Sequence, residues 1–376
     1  PILILLPDDL LTLKLMSRIA IGEGDTAQAI EYIQRVAALE VAQDPESTLT
    51  RTRIGLSLMM EGNVERGRLA LHEAIDLDKE LKVAELALVI SLLYQNNLVD
   101  GLAAASEFAA RHPESPMALN LLGLAHAMNE QPEEARQTFE RVLTIVPGEP
   151  GAAQNLASLA IADGDVKTAI SLYEQILKHQ PDHMPTILKL AGLKLGLGKE
   201  TEAETMLLGA IERNPEAIEP RTKLADLYIR TGRPDEAISL LMDVKDKYRE
   251  HASLLSALGT AELEEGQTAN AIHNFERLVE VMPDLAASHF KLAQAYGKAG
   301  RIEKLESSLE RALVIDPKHL PSRFAMVKLR TLQDRQDEAK VLFQALAEDY
   351  PEHPKVIEVQ GDQALREKRP ADAVVA

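Results

Sequence analysis

Cysteine and tryptophan are both missing from the 376 residues, and aromatic side chains make up only 3% of them. Without thiols there is no disulfide and no thiolate-held metal, so the chain suits a periplasm as well as a cytosol. Basic charge is short: 41 Lys and Arg stand against 59 Asp and Glu, a net of −18. Nonspecific binding to nucleic acid or to an anionic membrane depends on clustered cations, and this balance argues against both. RNA reading by helical repeats also needs stacking residues, which the low aromatic content does not supply. No apolar run approaches the roughly 18 residues of a membrane span, and no low-complexity linker interrupts the chain.

What the sequence has is a period. Residues 116–149 carry Leu119, Leu122, Gly123, Ala135, Phe139, Val142 and Pro147 as fixed points. A shift of 34 puts Ala157, Ala169, Tyr173 and Pro181 in the matching slots, and a second shift puts Ala191, Ala203, Leu207 and Pro215 there. The frame holds without an insertion from Thr48 to His353. A solenoid grows by adding such units, each touching only its neighbours, so chain length does not count domains here.

Each unit reads as two antiparallel helices. Leu156, Leu159 and Ala160 form one amphipathic stripe, Asp163-Gly164-Asp165 breaks it, and Ala169, Ile170, Tyr173, Ile176 and Leu177 form the next. Pro181-Asp182 is expected to stop that helix and cap the following one. Matching stops stand at Pro147, Pro215, Pro283, Pro317 and Pro351, while Lys79 and Arg249 occupy the slot in two units. Small residues at Gly123, Ala157, Ala191, Ala225, Gly259 and Ala293 let helix backbones approach closely. Gly67 and Gly101 replace alanine where the helices touch, and Leu305 takes that alanine slot in a later unit.

The boundaries follow. Residues 1–9 read as the tail of a preceding unit, and residues 10–376 as one continuous array. The array holds a lengthened unit at 10–47, then 48–81, 82–115, 116–149, 150–183, 184–217, 218–251, 252–285, 286–319 and 320–353. A truncated unit at 354–376 closes it, so a window from a longer array is expected, with any targeting segment outside. The expected fold class is all-α, a right-handed superhelix of antiparallel helix pairs.

The pattern Leu-x2-Leu-Gly-x2-His…Ala-x3-Phe…Pro over 119–147 resembles the tetratricopeptide repeat, and the resemblance covers 10–376. It implies a non-catalytic scaffold that holds a protein or peptide in a concave groove, without cofactor or metal. Residues 62–67, 82–93 and 112–125 look like the long tetratricopeptide lipoproteins of bacterial envelopes, which accompany exopolysaccharide synthesis and the export of proteins with a Pro-Glu-Pro C-terminal signal. That narrower likeness implies a periplasmic or outer-membrane setting. A cytosolic peptide-binding or chaperone adaptor is the alternative.

In this family the groove is lined from the second, fifth, sixth, ninth, twelfth and thirteenth residues of each first helix. Carried over, the early units present Leu49, Leu56, Met59, Met60, Leu86, Ile90, Leu93, Tyr94, Met117, Leu124 and Met128. Later units present Glu219, Lys223, Asp226, Ser256, Thr260, Lys291, Gln294 and Lys328, with Phe290 and Phe324 among them. The groove is thus expected to be apolar at one end and polar at the other. The apolar residues would serve equally as packing between helices. Lys189, Lys223 and Lys291 share the sixth slot and could meet a carboxylate or an anionic sugar, or be solvated or paired with nearby acids. Asn120 and Asn155 sit nearest to the Asn of the carboxylate clamp found in chaperone adaptors, but the accompanying lysines are missing.

Other motifs read as turns. His183, His251, His319 and His353 each end a unit, and such ends lie too far apart for metal bonds of about 2 Å. Gly196-Leu197-Gly198-Lys199-Glu200 lacks the spacing and the Ser or Thr of a phosphate loop. A general acid and base need a pocket that shifts their pKa values, which a two-helix repeat does not provide.

Overall fold

The computed structural model describes residues 48–78 and 82–366, with positions 13, 32, 35 and 36 besides. The lengthened unit at 10–47, the tail at 1–9, Lys79 and the last ten positions lie wholly or almost wholly outside those residues. Two compact units divide the chain, 1–186 and 187–376.

Nineteen helices follow one another among the described residues. The first unit holds α1 (Thr48–Met60), α2 (Val64–Leu77), α3 (Val83–Tyr94), α4 (Leu98–Arg111), α5 (Pro116–Met128), α6 (Pro132–Ile145), α7 (Pro150–Ala162) and α8 (Val166–His179). Then come α9 (Met184–Gly196), α10 (Glu200–Arg213), α11 (Ile218–Arg230), α12 (Pro234–Met242), α13 (Ala252–Glu264) and α14 (Thr268–Val281). The series ends with α15 (Ala286–Lys298), α16 (Ile302–Ile315), α17 (Leu320–Leu332), α18 (Gln336–Asp349) and α19 (Pro354–Arg366). Odd-numbered helices pack on the even ones after them, as α1 does on α2 and α15 on α16, and neighbouring odd helices touch, as α1 does α3 and α11 does α13.

Local chemistry explains the boundaries. Helices α6, α8, α10, α14, α16 and α18 each stop two residues before the proline of their repeat. The turn inside each repeat holds one left-handed residue: Gly at 62, 164, 198, 232, 266 and 300, and Asn96, Glu130 and Asp334 at φ 59° in the same slot. Gly198 (φ 72°) is therefore a helix-ending turn residue within the glycine pair at 196–198. The residue bounding α9 is His183, whose Nδ1 lies 2.8 Å from the Thr186 hydroxyl. Asp182, expected to cap the helix, stands one position before His183.

Helix α12 departs from its sisters. It ends at Met242 after nine residues where they run to fourteen, and residues 243–250 continue as turns. Asp243, Val244 and Asp246 are poor helix formers at a C-terminal end that disfavours negative charge. The Tyr248 hydroxyl donates to the Glu216 carbonyl of the preceding repeat at 2.7 Å, and Val244 is buried.

Packing within a repeat is reciprocal in size. Gly123 lies under the Phe139 ring and Gly259 under Phe275, while Ala157, Ala191, Ala225 and Ala293 are fully buried in the same slot. Residues 82–115 exchange the sizes: Val89 occupies the small slot and Ala105 the ring slot, both fully buried.

A buried polar position recurs at the eleventh residue of the first helices from 184 onward, answered each time by a polar partner. Lys194 donates to Glu202 (2.6 Å), Asn274 to Glu262 (2.6 Å), Tyr296 to Glu276 (2.7 Å) and Arg330 to Glu306 (2.5 Å). Burial and neighbouring carboxylates, Glu204 and Glu276, push the Tyr228 and Tyr296 hydroxyls up to about 12. Burial also holds the Glu262 carboxyl above its ordinary range, against the Asn274 bond and the charges of Lys245 and His273.

Candidate groove of the first helices

The faces of α1, α3 and α5 that the sequence rule assigns to the groove carry uncovered apolar side chains. Leu49, Met60, Ile90, Met117 and Leu124 are exposed, and Tyr94 is 91% exposed. Leu56, Leu86 and Met128 are half-buried at the same face. Val83, at the second position of its repeat, is exposed as well; the positional rule would have placed it there.

Two residues expected in the groove are core instead. Met59 is 1% exposed and Leu93 5%. The cause is a glycine eight residues on. A Cβ at Gly67 would lie 2.6 Å from Met59 Cγ, and one at Gly101 would lie 2.7 Å from Leu93 Cδ2. Each large side chain has folded into the notch that a missing methyl leaves. The Leu305 exception is the mirror image: Gly297 stands eight residues before it, and Leu305 reaches within 3.8 Å of where a Cβ on Gly297 would be.

Asn120 Nδ2 donates to Glu149 at 2.9 Å, and the same carboxylate accepts from the backbone N–H groups of Gly151 and Ala152 at the start of α7. Asn120 thus supports a helix cap. Arg51 pairs with Glu73, and the buried Glu85 carboxylate takes bonds from Arg111 and His112.

In the second compact unit the first-helix faces are polar. Glu219, Asp226, Gln294 and Lys328 are exposed, and Lys223, Ser256 and Thr260 half-buried. Asp226 stands 3.9 Å from Arg230. The three lysines of the sixth slot are not equivalent. Lys291 donates to the Thr260 hydroxyl at 2.9 Å and lies 5.8 Å from the Phe275 ring centre, and burial pulls its pKa down despite the Asp226 charge. Lys189, Lys223 and Gly192 border a cavity of 680 Å³ between α9, α11 and α13. The sequence reading passed over Gly192, because a glycine marks a cavity only through what its neighbours leave open.

Phe290 and Phe324 are half-buried, their rings 5.6 Å and 5.4 Å from those of His319 and His353. His319 Nδ1 in turn lies 2.7 Å from the Ser322 hydroxyl. These histidines sit at the starts of first helices and join them to the preceding repeat.

Tetratricopeptide repeat family models match residues 86–150 and 256–319, 160–217 and 202–260, and 323–353. Between them they leave only 151–159 and 320–322 unmatched from 86 to 353. No curated protein matches the chain. A tetratricopeptide repeat protein from Parabacteroides merdae is similar in structure, with TM-score 0.50 and 17% identity over 66% of this chain and 97% of that one. The human IFIT1 dimer with m7Gppp-AAAA is similar at TM-score 0.52 and 19% identity, over 86% of this chain and 82% of that one. Paired helices, proline stops and the matched segments lead to one assignment: the chain belongs to the tetratricopeptide repeat family.

Proposed function

We propose that the chain is a non-catalytic scaffold that holds an apolar protein segment against the first-helix faces of α1, α3 and α5. One observation carries this: seven large apolar side chains, Leu49, Met60, Val83, Ile90, Tyr94, Met117 and Leu124, are uncovered on three neighbouring helices. Among the described first helices of the second compact unit only Leu332 is comparable. Concentrated exposed apolar surface of this kind marks an interaction site. Tetratricopeptide repeats in general serve as protein-interaction scaffolds, which fits the polarity of this face.

Magnitudes set the form of the partner. Recovering about 1.5 kcal/mol from each of seven side chains gives on the order of 10 kcal/mol. Association itself costs about 4–15 kcal/mol. The apolar face alone thus supports a weak complex, and tight capture needs contacts from successive repeats along a preformed wall. Ile90→Glu combined with Leu124→Glu should abolish capture of the partner while circular dichroism keeps its helical signal. Unchanged capture would reject the reading.

Within this proposal the setting is a bacterial envelope, periplasmic or outer-membrane associated, with one continuous array organising exopolysaccharide synthesis or surface-protein export. Its support is the likeness at residues 62–67, 82–93 and 112–125. Genes for glycosyltransferases and export components beside this one would strengthen it; a chaperone neighbourhood would favour the cytosolic adaptor. The adaptor has less support, because Asn120 is committed to Glu149. The RNA seen with human IFIT1 does not carry over at 19% identity, and the net charge of −18 opposes it.

A further inference from the structure

Every other second helix among the described residues ends at the thirtieth position of its repeat, from Leu77 in α2 to Asp349 in α18. Run to that length, α12 would end at Lys247. The thirtieth position faces the fourth position of the same repeat. Glu85 is met there by Arg111, and Arg323 by Asp349 at 2.6 Å. The repeat at 218–251 puts Arg221 and Lys247 in those two positions, cation against cation.

Arg221 shows what the mismatch leaves. It is only 6% exposed, and its Nε has no hydrogen-bond partner. Among the described residues its one hydrogen bond is a long one, 3.4 Å to the Ala217 carbonyl at the start of its own helix. Lys247 pairs instead with Glu216 and lies 5.5 Å from the Tyr248 ring centre. A buried cation without a counter-charge is costly. A last helical turn that brought a second cation against it would add to that cost.

The residues after this turn keep the arrangement of the repeat at 320–353. Tyr248 and Tyr350 share a position, and their hydroxyls donate to matching carbonyls of the preceding repeats, Glu216 at 2.7 Å and Lys318 at 3.2 Å. The departure is confined to the residues before Tyr248. There Val244, Lys245 and Lys247 bond three residues back, to Leu241, Met242 and Val244, where an α-helix bonds four back. Bonds of that span are the tighter relative of the α-helical ones, so only a short rearrangement separates the segment from helix.

We infer that residues 243–247 form a charge-controlled helix end. The like charges of Arg221 and Lys247 hold the segment out of α12, and an opposite charge at 247 returns it. Poor helix formers at 243, 244 and 246 weaken the turn, and the cation pair decides its state. The element leads directly into α13, the first helix that carries Ser256 and Thr260. The inference is independent of what binds the apolar residues of α1, α3 and α5.

Hydrogen exchange of the full chain tests it, read by mass spectrometry over peptides spanning 243–248. In the parent these amides should exchange fast beside those at the end of α18. Lys247→Asp should slow them about tenfold by pairing with Arg221. Arg221→Met should slow them as well, and Lys247→Arg should not. Asp243→Ala with Asp246→Ala keeps both cations and should leave exchange fast. Unchanged exchange in the other repeats shows that each variant is folded. Fast exchange persisting in either Lys247→Asp or Arg221→Met overturns the proposal, as does slow exchange in the parent or in Lys247→Arg. Slowing in the double alanine variant equal to that of Lys247→Asp would assign the break to helix propensity and overturn it too.

Discussion

The Phe139 ring occupies the space that a side chain on Gly123 would fill, with Cε1 only 2.5 Å from the position of the absent Cβ. The same relationship joins Gly259 to Phe275, and Gly55 to Leu71. Two helices of one repeat thereby approach closely at these glycines.

A sign reversal tests this. In an open helix, Gly→Ala stabilises by about 1 kcal/mol. At Gly123 the added methyl meets the fully buried Phe139 ring, and overpacking costs about 1–3 kcal/mol. Gly123→Ala should lower the urea midpoint of the parent chain and raise it in a Phe139→Leu background. The same sign in both backgrounds would show that the ring does not set the limit.

Met59 and Gly67 give a second test, which bears on the groove directly. Gly67→Ala would place its methyl 2.6 Å from Met59 Cγ and 2.8 Å from the Gly55 carbonyl oxygen, which cannot swing aside. We expect lower stability and Met59 displaced into the groove, seen as a methyl signal newly broadened by a soluble spin label. Adding Met59→Ala copies the Ala127 and Ala135 pair of the repeat at 116–149 and should recover the part of the loss due to Met59, while the part due to the Gly55 carbonyl remains.

These pairs mark where the sequence was legible and where it stopped. The phase of the repeat predicted the helix pairs and the proline stops, and it placed Ile90, Tyr94, Met117 and Leu124 on the first helices while leaving open whether they are covered. It failed at Met59 and Leu93 because a positional rule counts slots, whereas burial depended on the volume missing at Gly67 and Gly101. Leu305, an exception to the pattern, becomes regular once Gly297 is set beside it. The early end of α12 was foreshadowed by the lack of proline at Arg249. The burial of Lys291 depends on Thr260 and Phe275 in the repeat before it, which no single repeat discloses.

Glu262 predicts a pH dependence. Burial raises its folded-state pKa above that of the unfolded chain, about 4.3 for a free glutamate. The folded state therefore binds the proton more tightly. The stabilisation this brings is complete below the unfolded pKa and is lost as pH rises through the folded one. Glu262→Gln keeps an acceptor for Asn274 and removes the buried charge. Its urea midpoint should exceed that of the parent chain at pH 7 and converge with it near pH 4. A gap that widens on acidification would contradict the assignment.

A partner held against the first-helix face should be reachable from that face alone. Photo-crosslinking distinguishes the two faces, with benzoylphenylalanine at Tyr94 compared against the same group at Val99. Both positions are open, 91% and 76% exposed, but Val99 belongs to the second helix α4. Crosslinking of the partner from position 94 and none from position 99 is the predicted result. Crosslinking from 99 with none from 94 would place the partner on the other face and contradict the account.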